Sequence, residues 1–153
     1  RNEGEVNRTS YESMGDDAPR SVTKPDGRVI TLATRAEMKE SIKSGARALD
    51  VRDPNEVEAK KGGTAAVGAV HVPVNVDGQT QKEHKTTPEE YKKKLADAGV
   101  DVETPSAAFI VHCTGGGRAD TTVGLLKELG FASVLNGGGP DDVRLCVEEL
   151  AAM

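Results

Sequence analysis

The sequence predicts an α/β fold in which a mostly parallel sheet of about five strands carries helices on both faces. Short apolar segments of strand-like composition alternate along the chain with longer segments whose apolar residues recur at helical spacing. One segment, "AAFIVHC" at 107–113, is almost continuously apolar, as expected of a central parallel strand covered on both faces. The 153 residues are enough for one domain with one buried core.

The first half of the predicted domain alternates three strands with a helix and a helical turn. After the strand "VITLA", the segment "TRAEMKESIKSG" has Thr34 as a candidate N-cap, Glu37 three residues later and Gly45 as a terminator. These are the signals of a capped helix. The segments "ARALDVRD" and "GAVHVPVNV" predict the next two strands, with a short helical turn in "PNEVEAKKGG" between them.

The second half repeats the alternation. The segment "TTPEEYKKKLADAG" predicts a helix with Thr87 as N-cap, Pro88 at the first helical position and Gly99 as terminator. The apolar strand "AAFIVHC" follows, then the helix "RADTTVGLLKELG", the strand "FASVLNGGG" and the closing helix "PDDVRLCVEEL". We expect the long stretch from Asp77 to Val102 to cover the sheet rather than to shape an entrance to a site.

Residues 1–27 have a different composition from the rest of the chain. They hold few apolar residues and many Gly, Pro, Ser, Asp and Glu, so they are expected to form a flexible N-terminal arm. The domain is expected to occupy residues 28–153.

Charge and hydropathy argue against two classes of partner. The chain has 20 basic and 25 acidic side chains and a net charge of −5, which provides no broad basic field for nucleic acid or for an anionic membrane. No apolar run approaches the roughly 18 residues that span a bilayer.

For its location, we expect a cytoplasmic protein, or one in the lumen of an organelle after removal of a targeting segment. The sequence does not reveal the oligomeric state.

The most informative segment is "CTGGGR", which begins at Cys113, where the apolar strand stops. Three successive glycines allow backbone N–H groups to turn toward one centre and form an anion cradle. The helix that follows contributes the positive end of its dipole, and Arg118 adds a fork-shaped cation. All three effects favour a thiolate, which is the nucleophilic form of cysteine, over a thiol.

Two other interpretations of the segment compete with that of a nucleophile. A tight turn, with the cysteine filling a small apolar space, remains the plain structural alternative. A P-loop is disfavoured because the segment lacks the Lys-Ser/Thr pair.

The segment "CTGGGRA" resembles the active loop of the rhodanese, or sulfurtransferase, family, in which a nucleophilic cysteine starts a loop that curls onto a helix. Further segments match the family in order: "ALDVRDPNEVE" its Asp-Val-Arg strand end, "GAVHVPVN" its Gly-Ala strand, and "LGFASVLNGGG" its late strand with a glycine pair. The family's usual His-Ile-Pro is "AAV" here, and the tryptophan often found after the glycine pair is absent. Both departures concern mainly the scaffold.

The resemblance implies a function and a set of site residues. Cys113 would be the catalytic nucleophile that takes a sulfane sulfur from thiosulfate or a similar anionic donor, carries it as a persulfide, and passes it to a thiol or cyanide. The substrate-binding residues implied by the same loop are Thr114, Gly115, Gly116, Gly117 and Arg118. Phosphatases and arsenate reductases of the same fold have the longer loop His-Cys-x5-Arg, whereas this chain has "HCTGGGR", so they rank second. A noncatalytic rhodanese-like binding module ranks third, because such modules usually lack the cysteine.

A few other polar residues have plainer interpretations. Asp50 and Arg52 are expected to form an ion pair that fixes a strand end, and Cys146 to be a core thiol rather than a second reactive one, with no disulfide to Cys113. His71 and His84 have no further ligand types at metal-binding spacing, so we expect no metal, and the reaction implies no cofactor.

Overall fold

The computed structural model describes residues 15–54, 69–75 and 86–152, and these contain six strands and four helices. In chain order, they are β1 (Arg20–Thr23), β2 (Val29–Leu32), α1 (Arg35–Lys43), β3 (Arg47–Asp50), β4 (Val70–His71), α2 (Pro88–Asp97), β5 (Ala108–His112), α3 (Gly117–Glu128), β6 (Ser133–Gly138) and α4 (Pro140–Ala151).

The main sheet is parallel and has the strand order β4-β3-β5-β6. Helices α2 and α3 cover one face, where Tyr91, Leu95 and Leu126 are fully buried. Helices α1 and α4 cover the other face with Met38 and Val143. The expected α/β architecture is therefore confirmed. The apolar strand β5 lies between β3 and β6, as its composition predicts.

Two helices begin with the caps that the sequence predicts. The Thr34 side chain accepts a hydrogen bond from the Glu37 amide at 3.1 Å, and the Glu37 carboxylate accepts one from the Thr34 amide at 2.8 Å. Thr87 and Glu90 make the same reciprocal pair at the start of α2. Each pair satisfies two backbone N–H groups that a helix end leaves without partners, so both starts are fixed by local sequence.

Helix α2 is a cover for the sheet. Tyr91 and Leu95 are completely buried against it, and the Tyr91 hydroxyl donates to the Val72 carbonyl at 2.8 Å. The expectation that the stretch from Asp77 to Val102 covers the sheet therefore holds for α2, while residues 76–85 lie outside the described part.

The N-terminal segment differs from the expected arm. Residues 20–23 form β1, which pairs antiparallel with β2, so β2 belongs to a hairpin and the main sheet has four strands among the described residues. The turn is closed by hydrogen bonds from Gly27 N to Lys24 O at 2.8 Å and from Lys24 N to Arg28 O at 2.7 Å. The sequence signal was present: Pro-Asp-Gly between two β-branched runs is a hairpin signature.

Some expectations concern residues beyond the described part. Residues 1–14 of the arm and all but the first residue of the helical turn at 54–63 lie outside the described residues, as does His84. The boundary between arm and domain remains a prediction, although the strand at residues 20–23 packs with the domain.

Candidate functional site

Cys113 directly follows β5 and lies at the carboxyl end of the parallel sheet. The Cys113 amide donates to the Gly138 carbonyl at 2.9 Å, which ties the residue to the neighbouring strand β6. Cys113 is only 1% exposed, but the next two residues, Thr114 and Gly115, are exposed. The thiol therefore lies just below the surface at the sheet edge where parallel α/β folds bind ligands.

The loop after Cys113 turns a backbone donor back onto the sulfur. The Gly116 N–H donates to Cys113 Sγ at 3.0 Å. Gly116 has φ +105°, a left-handed conformation that favours glycine, and a Cβ there would lie 3.1 Å from Leu32 Cδ2. Helix α3 begins at the next residue, Gly117, so its positive end lies beside the same sulfur. One backbone N–H of the glycine loop therefore points at the Cys113 sulfur.

Asn136 on β6 holds this loop in place. Its Nδ2 donates to the Gly116 carbonyl at 3.0 Å, and its Oδ1 accepts from the Gly138 amide at 2.9 Å. A single side chain therefore braces both the loop and the end of β6. Sequence reasoning missed Asn136, because an asparagine next to glycines in a strand reads as a turn residue.

Gly139, the last residue of the glycine run 137–139, makes room for the loop. The register of β5 and β6 shifts at this point, where Val111 pairs with Asn136 but His112 pairs with Gly138. A Cβ on Gly139 would lie 2.7 Å from the Thr114 carbonyl oxygen. The backbone of the loop can therefore approach β6 only because no side chain stands there.

Arg118, at the end of the loop, is buried and held from two sides. Its Nη2 donates to Thr114 Oγ1 at 3.3 Å, and its Nη1 lies 4.0 Å from Asp53 Oδ1. Asn75 Nδ2 donates to the same Asp53 oxygen at 2.9 Å. Asp53 thus faces the guanidinium from the end of β3, a relationship that sequence reasoning did not anticipate because the two residues are far apart along the chain.

The N-terminal hairpin forms a wall against the loop. Arg20 donates to the carbonyls of Ala33 at 2.6 Å and Gly137 at 2.9 Å, and to Asp142 Oδ2 at 3.0 Å. Asp142 also accepts from Arg35 Nε at 3.2 Å. Arg20 was placed in the arm by its sequence context, yet it joins the hairpin to β6 and α4.

A half-open cleft of about 400 Å³ separates the hairpin from the loop. Its lining consists of Pro19, Arg20, Ser21, Val22, Leu32, Thr114, Gly115, Gly139 and Asp142. A Cβ on Gly115 would meet no atom within 4 Å, so the loop has free space at its exposed side.

His112 precedes Cys113 and is completely buried. Among the described residues, neither ring nitrogen of His112 has a hydrogen-bond partner. Burial, the largest cause, lowers the pKa of His112 to about 4, although the carboxylate of Asp50 acts in the opposite direction. The imidazole is therefore neutral at physiological pH.

Asp50 and Arg52 form the expected ion pair at the end of β3. Arg52 Nη2 lies 2.6 Å from Asp50 Oδ2, and its Nε donates to Asp50 Oδ1 at 3.0 Å. Burial raises the pKa of Asp50, but the hydrogen bonds from Arg52 outweigh it and the pKa is lowered overall. The pair satisfies the Asp50 carboxylate internally, as expected of a group that fixes a strand end.

Cys146 is in a different environment from Cys113. Both thiols are free, but Cys146 is fully buried among apolar side chains between α4, α1 and the sheet. Burial is the main cause that raises its pKa to about 11. The predicted core thiol is therefore confirmed.

Residues 15–54, 69–75 and 86–152 contain no group of three or more His, Cys, Asp and Glu side chains that could hold a metal ion. His71 instead places its Nε2 2.7 Å from the Arg52 carbonyl. No helix in this part of the chain is long and apolar enough to cross a membrane.

Comparisons with solved structures return distant similarities. The human single-domain sulfurtransferase TSTD1 is 23% identical with a TM-score of 0.47, and the match covers 72% of this chain and 90% of that one. The Alr3790 protein from Anabaena sp. is 19% identical with a TM-score of 0.46, covering 72% of this chain and 83% of that one. Comparison with curated proteins gives no match.

The comparison with protein families is more informative. The model of the rhodanese-like domain matches residues 34–140, which run from the cap of α1 through the Cys113 loop to the first residue of α4. The family resemblance noted in the loop therefore extends across the whole parallel sheet, and this chain belongs to the rhodanese-like domain family.

Proposed function

We propose that this protein is a sulfurtransferase that moves a sulfane sulfur from thiosulfate or a similar anionic donor to a thiol or cyanide through a persulfide on Cys113. The observation that carries the proposal is the Gly116 N–H donating to Cys113 Sγ at 3.0 Å, at the start of α3. A donor aimed at the sulfur stabilises negative charge on it, whether the species is the thiolate or the persulfide anion.

The first half-reaction would be a displacement at sulfur. The Cys113 thiolate attacks the outer sulfur of thiosulfate, a new S–S bond forms at Sγ, and the bond to the sulfonate sulfur breaks. The electron pair of that bond leaves with sulfite, and the persulfide anion remains on the protein. Donor access would be over Thr114 and Gly115, the exposed side of the loop.

The second half-reaction would return the enzyme to its thiolate. An acceptor thiolate attacks the outer sulfur of the persulfide, which breaks the S–S bond at Cys113 and releases the acceptor persulfide. Cyanide in the same role leaves as thiocyanate. Because donor and acceptor act in turn on one nucleophile, the kinetics should be ping-pong.

Arg118 would bind the anionic part of the donor. Its guanidinium is held between Thr114 and Asp53, and a fixed fork of N–H donors suits a sulfonate group. The carboxylate of Asp53 offsets part of the positive charge, so Arg118 would contribute orientation as well as attraction.

Intact mass spectrometry after incubation with thiosulfate tests the proposal. The wild type should gain the mass of one sulfur atom, Cys113→Ser should gain none, and Cys146→Ser should gain one as the matched control. A folded, reduced wild type whose mass does not change would contradict the proposal. Faster hydrolysis of an aryl phosphate than transfer of sulfur, with both activities lost in Cys113→Ser, would establish the phosphatase alternative instead.

A further inference from the structure

The N-terminal hairpin brings a lysine to the start of α3. Lys24 follows β1 directly, and its backbone is fixed by the two hydrogen bonds that close the turn. Its Nζ lies 2.8 Å from the point that a Cβ on Gly117 would occupy, and its Cε lies 3.4 Å from that point. The ammonium therefore rests against the first residue of the helix whose positive end faces Cys113.

This position is electrostatically unfavourable for a cation on its own. The first turn of a helix carries partial positive charge on its unpaired N–H groups, and a cation beside it is repelled. Arg118 has a carboxylate nearby, since Asp53 Oδ1 lies 4.0 Å from its Nη1. Lys24 takes part in no side-chain hydrogen bond or ion pair within the part of the chain that the structure describes. An anion in the site would relieve the repulsion.

We propose that Lys24 is a specificity-determining residue that attracts the anionic group of the substrate bound at the Cys113 loop. The inference rests on the proposed function and deepens it: the site would prefer a donor with two negative charges, such as thiosulfate, over a neutral or singly charged one. Lys24 neither transfers a proton nor touches the attacking sulfur in this role, so its effect belongs to binding.

Steady-state kinetics provide the first test. We expect Lys24→Gln to raise the KM for thiosulfate about three- to fivefold with little change in kcat, as for the loss of one partly exposed ionic contact. Arg28→Gln is the matched control, because Arg28 lies in the same hairpin, is exposed and pairs with Asp26. An unchanged KM in Lys24→Gln, or an equal rise in both variants, would overturn the inference.

Alkylation of Cys113 tests the same inference without sulfur transfer. Iodoacetate is an anion and iodoacetamide is neutral, so the ratio of their rates at Cys113 reports the local positive charge. Lys24→Gln should lower this ratio about threefold relative to the wild type and to Arg28→Gln. A ratio that is the same in all three proteins would overturn the role of Lys24 even if the wild type transfers sulfur. A lowered ratio in a protein that transfers none would support the anion-attracting role and contradict only the proposed function.

Discussion

The two cysteines of this chain show how position in a fold decides what a thiol can do. Cys113 follows a central strand, accepts an N–H from Gly116 and lies next to exposed loop residues. Cys146 lies in the middle of α4, fully buried among apolar side chains, and burial raises its pKa to about 11. One environment offers hydrogen-bond donors to a charged sulfur and the other offers almost none. The surroundings of each sulfur, and not the residue type, therefore distinguish the two thiols.

The largest expected effect is a difference in alkylation rate between the two thiols. In the folded protein, iodoacetamide should modify Cys113 at least about a hundredfold faster than Cys146, because the raised pKa alone removes that much thiolate from Cys146. Peptide mapping by mass spectrometry measures both rates. In concentrated urea the two rates should converge. Comparable alkylation rates of Cys113 and Cys146 in the folded protein would contradict the difference inferred between the two thiols.

A substitution at Gly116 tests whether the backbone conformation of the loop is what distinguishes Cys113 from Cys146. Gly116→Ala should lower the free energy of unfolding by about 2 to 3 kcal/mol and reduce sulfur loading, because alanine is strained at φ +105° and its Cβ would press on Leu32.

Gly124→Ala, in the helix that follows Gly116, provides the matched control. Gly124 is exposed and a Cβ there meets nothing within 4 Å, so alanine should add up to about 1 kcal/mol of stability. Urea unfolding measures both variants. Equal stability of Gly116→Ala and the wild type would show that the loop does not need its left-handed residue.

The smallest expected effect concerns His112, the last residue of β5 and the one directly before Cys113. Its pKa is lowered to about 4 in the folded protein, so below the ordinary value of 6.5 the unfolded chain binds a proton that the folded chain does not. The free energy of unfolding should therefore fall by about 2 kcal/mol as the pH drops from about 7.5 to about 5.

Urea unfolding at both pH values measures this change. His112→Gln should show a shallower decline over the same range, whatever its absolute stability. The Asp50 carboxylate, whose pKa is lowered from 3.8, loses its stabilisation only at still lower pH, so the two contributions separate. A decline that persists undiminished in His112→Gln would assign it to other groups.

Local signals made much of the fold predictable. The N-cap signals at Thr34 and Thr87 correctly located the starts of α1 and α2, since the capping contacts lie within three residues. The apolar run of β5 predicted a central strand, and the glycine loop after it predicted a donor-lined turn, because both features follow from consecutive residues. The Asp50 and Arg52 pair was predictable for the same reason.

Contacts between distant segments could not be predicted in this way. Asn136 holds Gly116 from another strand, and Asp53 meets Arg118 from the end of β3, so neither role has a local signature. The hairpin is a different case. Its Pro-Asp-Gly turn was visible, but the polar composition around it dominated the interpretation, and with it the positions of Arg20 and Lys24 were missed.

The contact of Arg20 with Asp142 has a consequence for the order of folding. The two residues are 122 positions apart in sequence, so the ion pair closes a loop that contains almost all of the domain. Closing so long a loop has an entropic cost that neighbouring contacts must first offset, which places this contact late in folding. During synthesis, β1 and the Ala33 carbonyl to which Arg20 donates emerge early, but Arg20 must wait for α4 before its carboxylate partner, Asp142, is present. The wall of the cleft beside the Cys113 loop is therefore completed only when α4 is in place.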